Sequence, residues 1–158
     1  MLGGSTWPNA TVPYRNVLVP TDGSPASRRG AACAARLAAA LGARLTALYV
    51  VPEGVPTIFS GDRLYASRVL GPRARAALRA AAEAALGQVE REAADAGVAV
   101  QRVRVRERAP WRAISRAASR HRCDLVVMGT RGVGGLAALG SQTLKTVSHA
   151  RVPVLVCR

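Results

Sequence analysis

At 158 residues with 49% hydrophobic content, the chain is long enough to bury one core without disulfide or metal staples, which excludes a disordered tail. Aromatic residues make up only 4%, so that core must be built from Val, Leu and Ala. The net charge of +14 raises a polyanion surface, yet Lys145 is the sole lysine and the other 22 of 23 basic residues are arginines scattered over every segment. Compositional bias explains such a spread as well as a dedicated nucleic-acid face does.

Residues 1–14, with Gly3, Gly4, Pro8 and Pro13, lack the basic and apolar regions of a signal peptide and are expected to form a flexible leader. The first strand is expected over 16–20, ending at Thr21-Asp22-Gly23-Ser24-Pro25. Ser24 can cap a helix whose first position is Pro25 and whose alanine-rich body stops before Gly42. A second strand spans 44–51, and residues 52–71 read as a long irregular connection. Pro72 opens a long Ala-, Arg- and Glu-rich helix running to about residue 96. The third strand is expected over 98–106, where Arg102, Arg104 and Arg106 alternate with Val103 and Val105. Residues 111–121 form a helix with Ile114, Ala117 and Ala118 inward and Arg112, Arg116 and Arg120 on one solvated face. An arginine-lined edge strand beside that face guards against sheet-to-sheet pairing. A fourth strand at 124–128, a helix at 141–149 and a last strand at 152–157 complete the chain. Strict β-α alternation predicts a single α/β domain whose parallel sheet carries helices on both faces.

The fourth strand runs into Gly129-Thr130-Arg131-Gly132-Val133-Gly134-Gly135, and Gly140-Ser141-Gln142-Thr143 follows. Glycines there strip the backbone of Cβ atoms so that amides can surround an anion, most readily a nucleotide phosphate. A Walker A loop is excluded because Ser141 and Gln142 stand where it requires Lys and Ser/Thr. The string Gly132-Val133-Gly134-Gly135-Leu136-Ala137 satisfies a dinucleotide fingerprint literally. It follows the fourth strand rather than the first, however, and no acid follows Asp124 to take a ribose.

Val-Pro-Thr-Asp-Gly-Ser at the first strand, Leu-Tyr-Val-Val at the second, Asp-Leu-Val-Val-Met-Gly-Thr-Arg-Gly at the fourth and Gly-Ser with Val-Pro-Val-Leu-Val near the end resemble the universal stress protein family. The resemblance covers residues 15–158 and implies a Rossmann-like, adenine nucleotide alpha hydrolase-like sandwich with strand order 3-2-1-4-5. It also implies a homodimer through the last strand, residues 152–157. Nucleotide-binding members carry G-x-x-G, nine residues, then G-[ST]. Gly129 and Gly132 match the first pair and Gly140-Ser141 the second, but only seven residues separate Gly132 from Gly140.

Under that order, the first and fourth strands are neighbours at a topological switch point, beyond whose carboxyl ends ligands sit. Asp22 would then meet the ribose or a metal-bound water. By resemblance, Val50 would offer its backbone to adenine, with Pro20, Thr21 and Met128 walling the base. Gly129, Arg131 and Gly132 would give amides to the phosphates, Arg131 adding charge. Gly140, Ser141, Gln142 and Thr143 would supply the receiving helix N-terminus. The implied ligand is ATP or AMP, with Mg²⁺ accompanying it. The lesser alternative makes Asp22 a plain helix-start or turn aspartate and the glycines a tight turn without ligand.

Dedicated catalysis is not expected. His121 and His149 lie apart, each near a helix end where a cationic side chain suits the dipole, and no Ser-His-Asp order, H-x-x-x-H or paired-carboxylate motif is present. Slow ATP hydrolysis is the most a bound Mg²⁺ and an ordered water would support. Three readings follow: an ATP- or AMP-binding stress regulator, a family member working through protein contacts without nucleotide, and a polyanion-associating protein with no specific nucleic-acid site. Cys33, Cys123 and Cys157, an odd count without C-x-x-C, read as free thiols in a reducing compartment. Without an apolar run of ~20 residues, the location expected is the cytoplasm.

Overall fold

The computed structural model describes residues 14–53, 71–130 and 140–158. The expected leader up to residue 13, most of the 52–71 connection and residues 131–139 of the glycine loop lie outside the described residues. Among the described residues, nine elements alternate: β1 (Asn16–Thr21), α1 (Pro25–Leu41), β2 (Arg44–Pro52), α2 (Pro72–Asp95), β3 (Val100–Glu107), α3 (Pro110–Arg120), β4 (Leu125–Gly129), α4 (Ser141–His149) and β5 (Val154–Cys157). The sheet order is β3-β2-β1-β4-β5, every pair parallel, as the α/β reading and the family resemblance require.

The pleat sends successive side chains to opposite faces, and this makes two cores. Val17, Val19, Leu45, Ala47, Tyr49, Leu125 and Val127 meet the alanine ridge of α1 and the buried side of α2. Leu18, Leu48, Val103, Val126 and Met128 meet Ile114, Ala117 and Ala118 of α3. Small side chains on α1 let it lie close to the sheet, which is how a chain so poor in aromatics still fills its interior. Tyr14 packs against the first core.

Most element ends fall within a residue or two of the expected ones, and caps and missing donors account for the starts of β3, β4, β5 and α3. Gly97 takes φ +69°, and the Val98 amide donates back to the Ala93 carbonyl at 2.8 Å, so Val98 closes α2 and β3 starts only at Val100. Asp124 is no ladder residue: its carboxylate accepts the Arg15 and Asn16 amides at 2.8 and 3.1 Å, capping the start of β1. Pro153 has no N–H to give, although its carbonyl accepts from Val126 at 2.9 Å, and β5 begins at Val154. Trp111 is the second residue of α3, because Pro110 occupies the first helical position where a missing N–H costs nothing.

Candidate functional site

β1 turns one way to β2 and is flanked on the other side by β4, which makes their carboxyl ends the switch point of the sheet. The register Val17↔Leu125 and Leu18↔Val126, carried forward, sets Thr21 opposite Gly129. Both flanks of the glycine loop converge here, because the Thr143 hydroxyl in the first turn of α4 donates to the Gly129 carbonyl at 3.4 Å. α4 therefore starts directly beyond the end of β4. Gly140 is its N-cap, and no side-chain cap closes its first turn. By contrast, α1 is closed by Ser24, whose Oγ accepts the Ser27 amide at 3.2 Å as its sequence predicts.

The structure divides the expected ligand residues by face. Val50 and Met128 belong to the α3 side of the sheet, and pleat alternation from Leu18 puts Pro20 there too. The Thr21 side chain instead turns toward α1, where its hydroxyl donates to Ser27 Oγ at 3.2 Å and accepts the Gly23 amide at 3.2 Å. Asp22 is exposed, and its Oδ1 accepts the Ser24 amide at 3.0 Å, an Asx turn that holds the loop before α1. Ser141 is exposed and Gln142 half-buried, while Thr143 is buried. Arg131 and Gly132 lie outside the described residues.

Gly129 has a packing reason for lacking a side chain. A Cβ there would overlap the Ala26 carbonyl, and a Cβ on Gly30 would come within 2.7 Å of the Gly129 amide nitrogen. α1 and β4 thus touch backbone to backbone at the mouth of the crevice. Sequence reasoning missed Gly30, and it also missed Trp111. The Trp111 amide donates to Gln142 Oε1 at 3.4 Å, its ring lies 4.5 Å from that of His149, and the Arg112 guanidinium sits 5.1 Å from its centroid. One residue of α3 therefore touches both ends of α4. The only advance signal was an aromatic in a chain nearly devoid of them.

Among the described residues, no group of three His, Cys, Asp or Glu side chains could hold a metal, and no helix is long and apolar enough to cross a membrane.

The family model for the universal stress protein family matches residues 13–158. The chain belongs to the universal stress protein family. A universal stress protein of Thermus aquaticus is 38% identical over 148 residues, covering 92% of this chain and 99% of that protein. The solved universal stress protein UspA of Lactobacillus plantarum is 30% identical with a TM-score of 0.69, covering 92% and 98%. A universal stress protein of Archaeoglobus fulgidus in complex with dAMP is 18% identical with a TM-score of 0.68, covering 92% and 99%. Other solved members of this fold hold cAMP or AMP. At such identities these last three speak for the fold, which is the Rossmann-like sandwich seen here.

Proposed function

We propose that this universal stress protein binds an adenine nucleotide, ATP or AMP, in the crevice between β1, β4 and α4, and acts as a nucleotide-responsive regulator in the cytoplasm rather than as a dedicated enzyme. The observation that carries the reading is the Thr143–Gly129 hydrogen bond, which puts an uncapped helix N-terminus at the switch point. Backbone N–H groups and the helix dipole favour an anion there. Neighbours of the same fold hold AMP-type nucleotides at some site, which supports the ligand class.

In this reading Gly129, Arg131 and Gly132 with Gly140, Ser141, Gln142 and Thr143 surround the phosphates, and Asp22 faces the ribose. Pro20, Val50 and Met128 form the apolar side of the base pocket, and Thr21 acts from behind by fixing the turn that presents Asp22. The phosphates would bring any Mg²⁺ with them. Calorimetric titration with AMP and ATP is expected to saturate in the micromolar range, roughly −8 kcal/mol. Asp22→Ala should weaken binding about tenfold or more, equivalent to ~1.4 kcal/mol. Absence of saturation by every adenine nucleotide would favour the family member that works through protein contacts alone.

A homodimer through β5 accompanies this reading. β5 is a sheet edge with Leu155 40% exposed, and the neighbouring α4 leaves Leu144 and Val147 53% and 44% exposed. An uncovered strand edge flanked by large apolar side chains is ready for pairing. Light scattering should report a dimer, and Leu155→Lys should shift it toward monomer. A monomer for the unsubstituted chain at micromolar concentration would overturn the proposal.

A further inference from the structure

The nucleotide reading leaves the thiols unused, and two of them meet. Cys33 on α1 and Cys157 at the end of β5 are both half-buried and pack on the same core cluster. The contact follows from the fold: α1 crosses β4 backbone to backbone at Gly30 and Gly129, Gly129 lies in register with Cys157, and Cys33 is one helical turn after Gly30. The Cys33 sulfur lies near enough to Cys157 to help push that thiol's pKa up. Cys123 is separate from them, buried in the core on the opposite face of the sheet.

We propose that Cys33 and Cys157 form an oxidisable dithiol that hydrogen peroxide or an organic hydroperoxide closes into an intramolecular disulfide, clasping the edge strand β5 to α1. Nothing in this pairing of thiols rests on the proposed nucleotide binding. Burial foremost, then the hydrogen bond and charge of Cys33, push the Cys157 thiol up to about 12, with Arg36 opposing. Cys157 therefore keeps its proton, and the first attack falls to the other sulfur, Cys33. The Cys33 thiolate displaces hydroxide from the peroxide O–O bond and becomes a sulfenic acid. The Cys157 sulfur then attacks Cys33 Sγ, the S–O bond breaks, and the Cys157 proton leaves with the hydroxide as water. Two thiols lose two electrons in total, and one hydrogen peroxide becomes two waters.

Closure has a defined local consequence. The Cys157 carbonyl accepts the Thr130 amide at 3.0 Å, so the residue being cross-linked also holds the first step of the glycine loop. The disulfide would lock β5, that step and α1 into one unit.

The test treats the full chain with hydrogen peroxide and maps peptides without reduction. The expected result is a monomer lighter by the mass of two hydrogens, with the peptide of Cys33 linked to that of Cys157. Its melting temperature should rise by roughly 5–15 °C and return on reduction. Cys33→Ser and Cys157→Ser should each abolish both changes, whereas Cys123→Ser should keep them. Mapping of the unsubstituted chain decides the matter even where a variant folds poorly. The proposal is overturned by Cys33 stopping at a sulfenic or sulfinic acid with Cys157 free, by a link between two chains, by a link to Cys123, or by no change.

Discussion

Gly129 answers to a packing demand from α1 beside the one a bound phosphate would make under the proposed function, and only the latter could be read from its neighbours in sequence. The packing demand comes from Ala26 and Gly30, about a hundred positions upstream, and becomes visible only once α1 is laid on β4. Gly129→Ala should therefore destabilise the fold by about 1–3 kcal/mol through overpacking, seen as a lower urea midpoint with unchanged slope. Asn16 is a comparable case. Its Oδ1 accepts from the fully buried Thr46 hydroxyl at 2.9 Å and its Nδ2 donates to the His121 carbonyl at 2.9 Å. Asn16→Leu leaves Thr46 without that acceptor and should cost about 1–3 kcal/mol. Asn16 was legible as a strand start, but not as the clip joining β1, β2 and the end of α3. The thiols set a pH dependence. Cys123 and Cys157 are both raised, burial being the main cause, so the folded chain holds protons that the unfolded chain releases above about pH 8.5. Their contribution is complete below that pH and is lost as pH climbs toward the folded values. Urea unfolding at pH 7 and pH 10 should show a decline that Cys157→Ser makes shallower.

Among the described residues, α4 contributes no side chain to either apolar core cluster. It buries Thr143 and Thr146 and leans on Trp111, while α1, α2 and α3 each drive an apolar ridge into the sheet. Trp111→Ala should speed amide exchange across residues 141–149 and leave α1 unchanged, and nucleotide affinity should fall with it. Equal exchange in both proteins would show that α4 is held without Trp111. Most elements were legible because the apolar alternation of strands and the Ser24-Pro25 and Gly97 punctuation are local signals. Their ends were less so. Val98, Asp124 and Pro153 each look extended, yet a helix cap, a strand cap and a missing donor decide their roles. The division of Pro20 from Thr21 across the sheet follows from the pleat and was readable. The turn of Thr21 into the Ser27 hydroxyl was not.

Across the whole molecule, positive charge is spread rather than gathered. On β3, Arg102 pairs with Glu83 and Glu90 at 3.0 Å each and Arg104 with Glu83 at 3.5 Å, while Arg116 pairs with Glu107 at 2.8 Å. Exposed pairs of this kind contribute at most about 1 kcal/mol apiece, but they occupy arginines that a nucleic-acid face would need. Duplex DNA affinity, read by fluorescence anisotropy, should fall on the order of 10³-fold between 50 and 200 mM salt through counterion release. Retention at the higher salt would reveal a specific surface. The backbone contact between α1 and β4 has one more consequence. It gives the crevice a rigid jaw, because Gly30 and Gly129 leave no slack between helix and strand. The opposite jaw, α4, rests on two threonines and one tryptophan, and it carries Leu144 and Val147 on its outer side. A clamp with one fixed and one yielding arm converts occupancy into displacement of the yielding arm alone. A nucleotide held there as proposed would be felt first on the outer surface of α4.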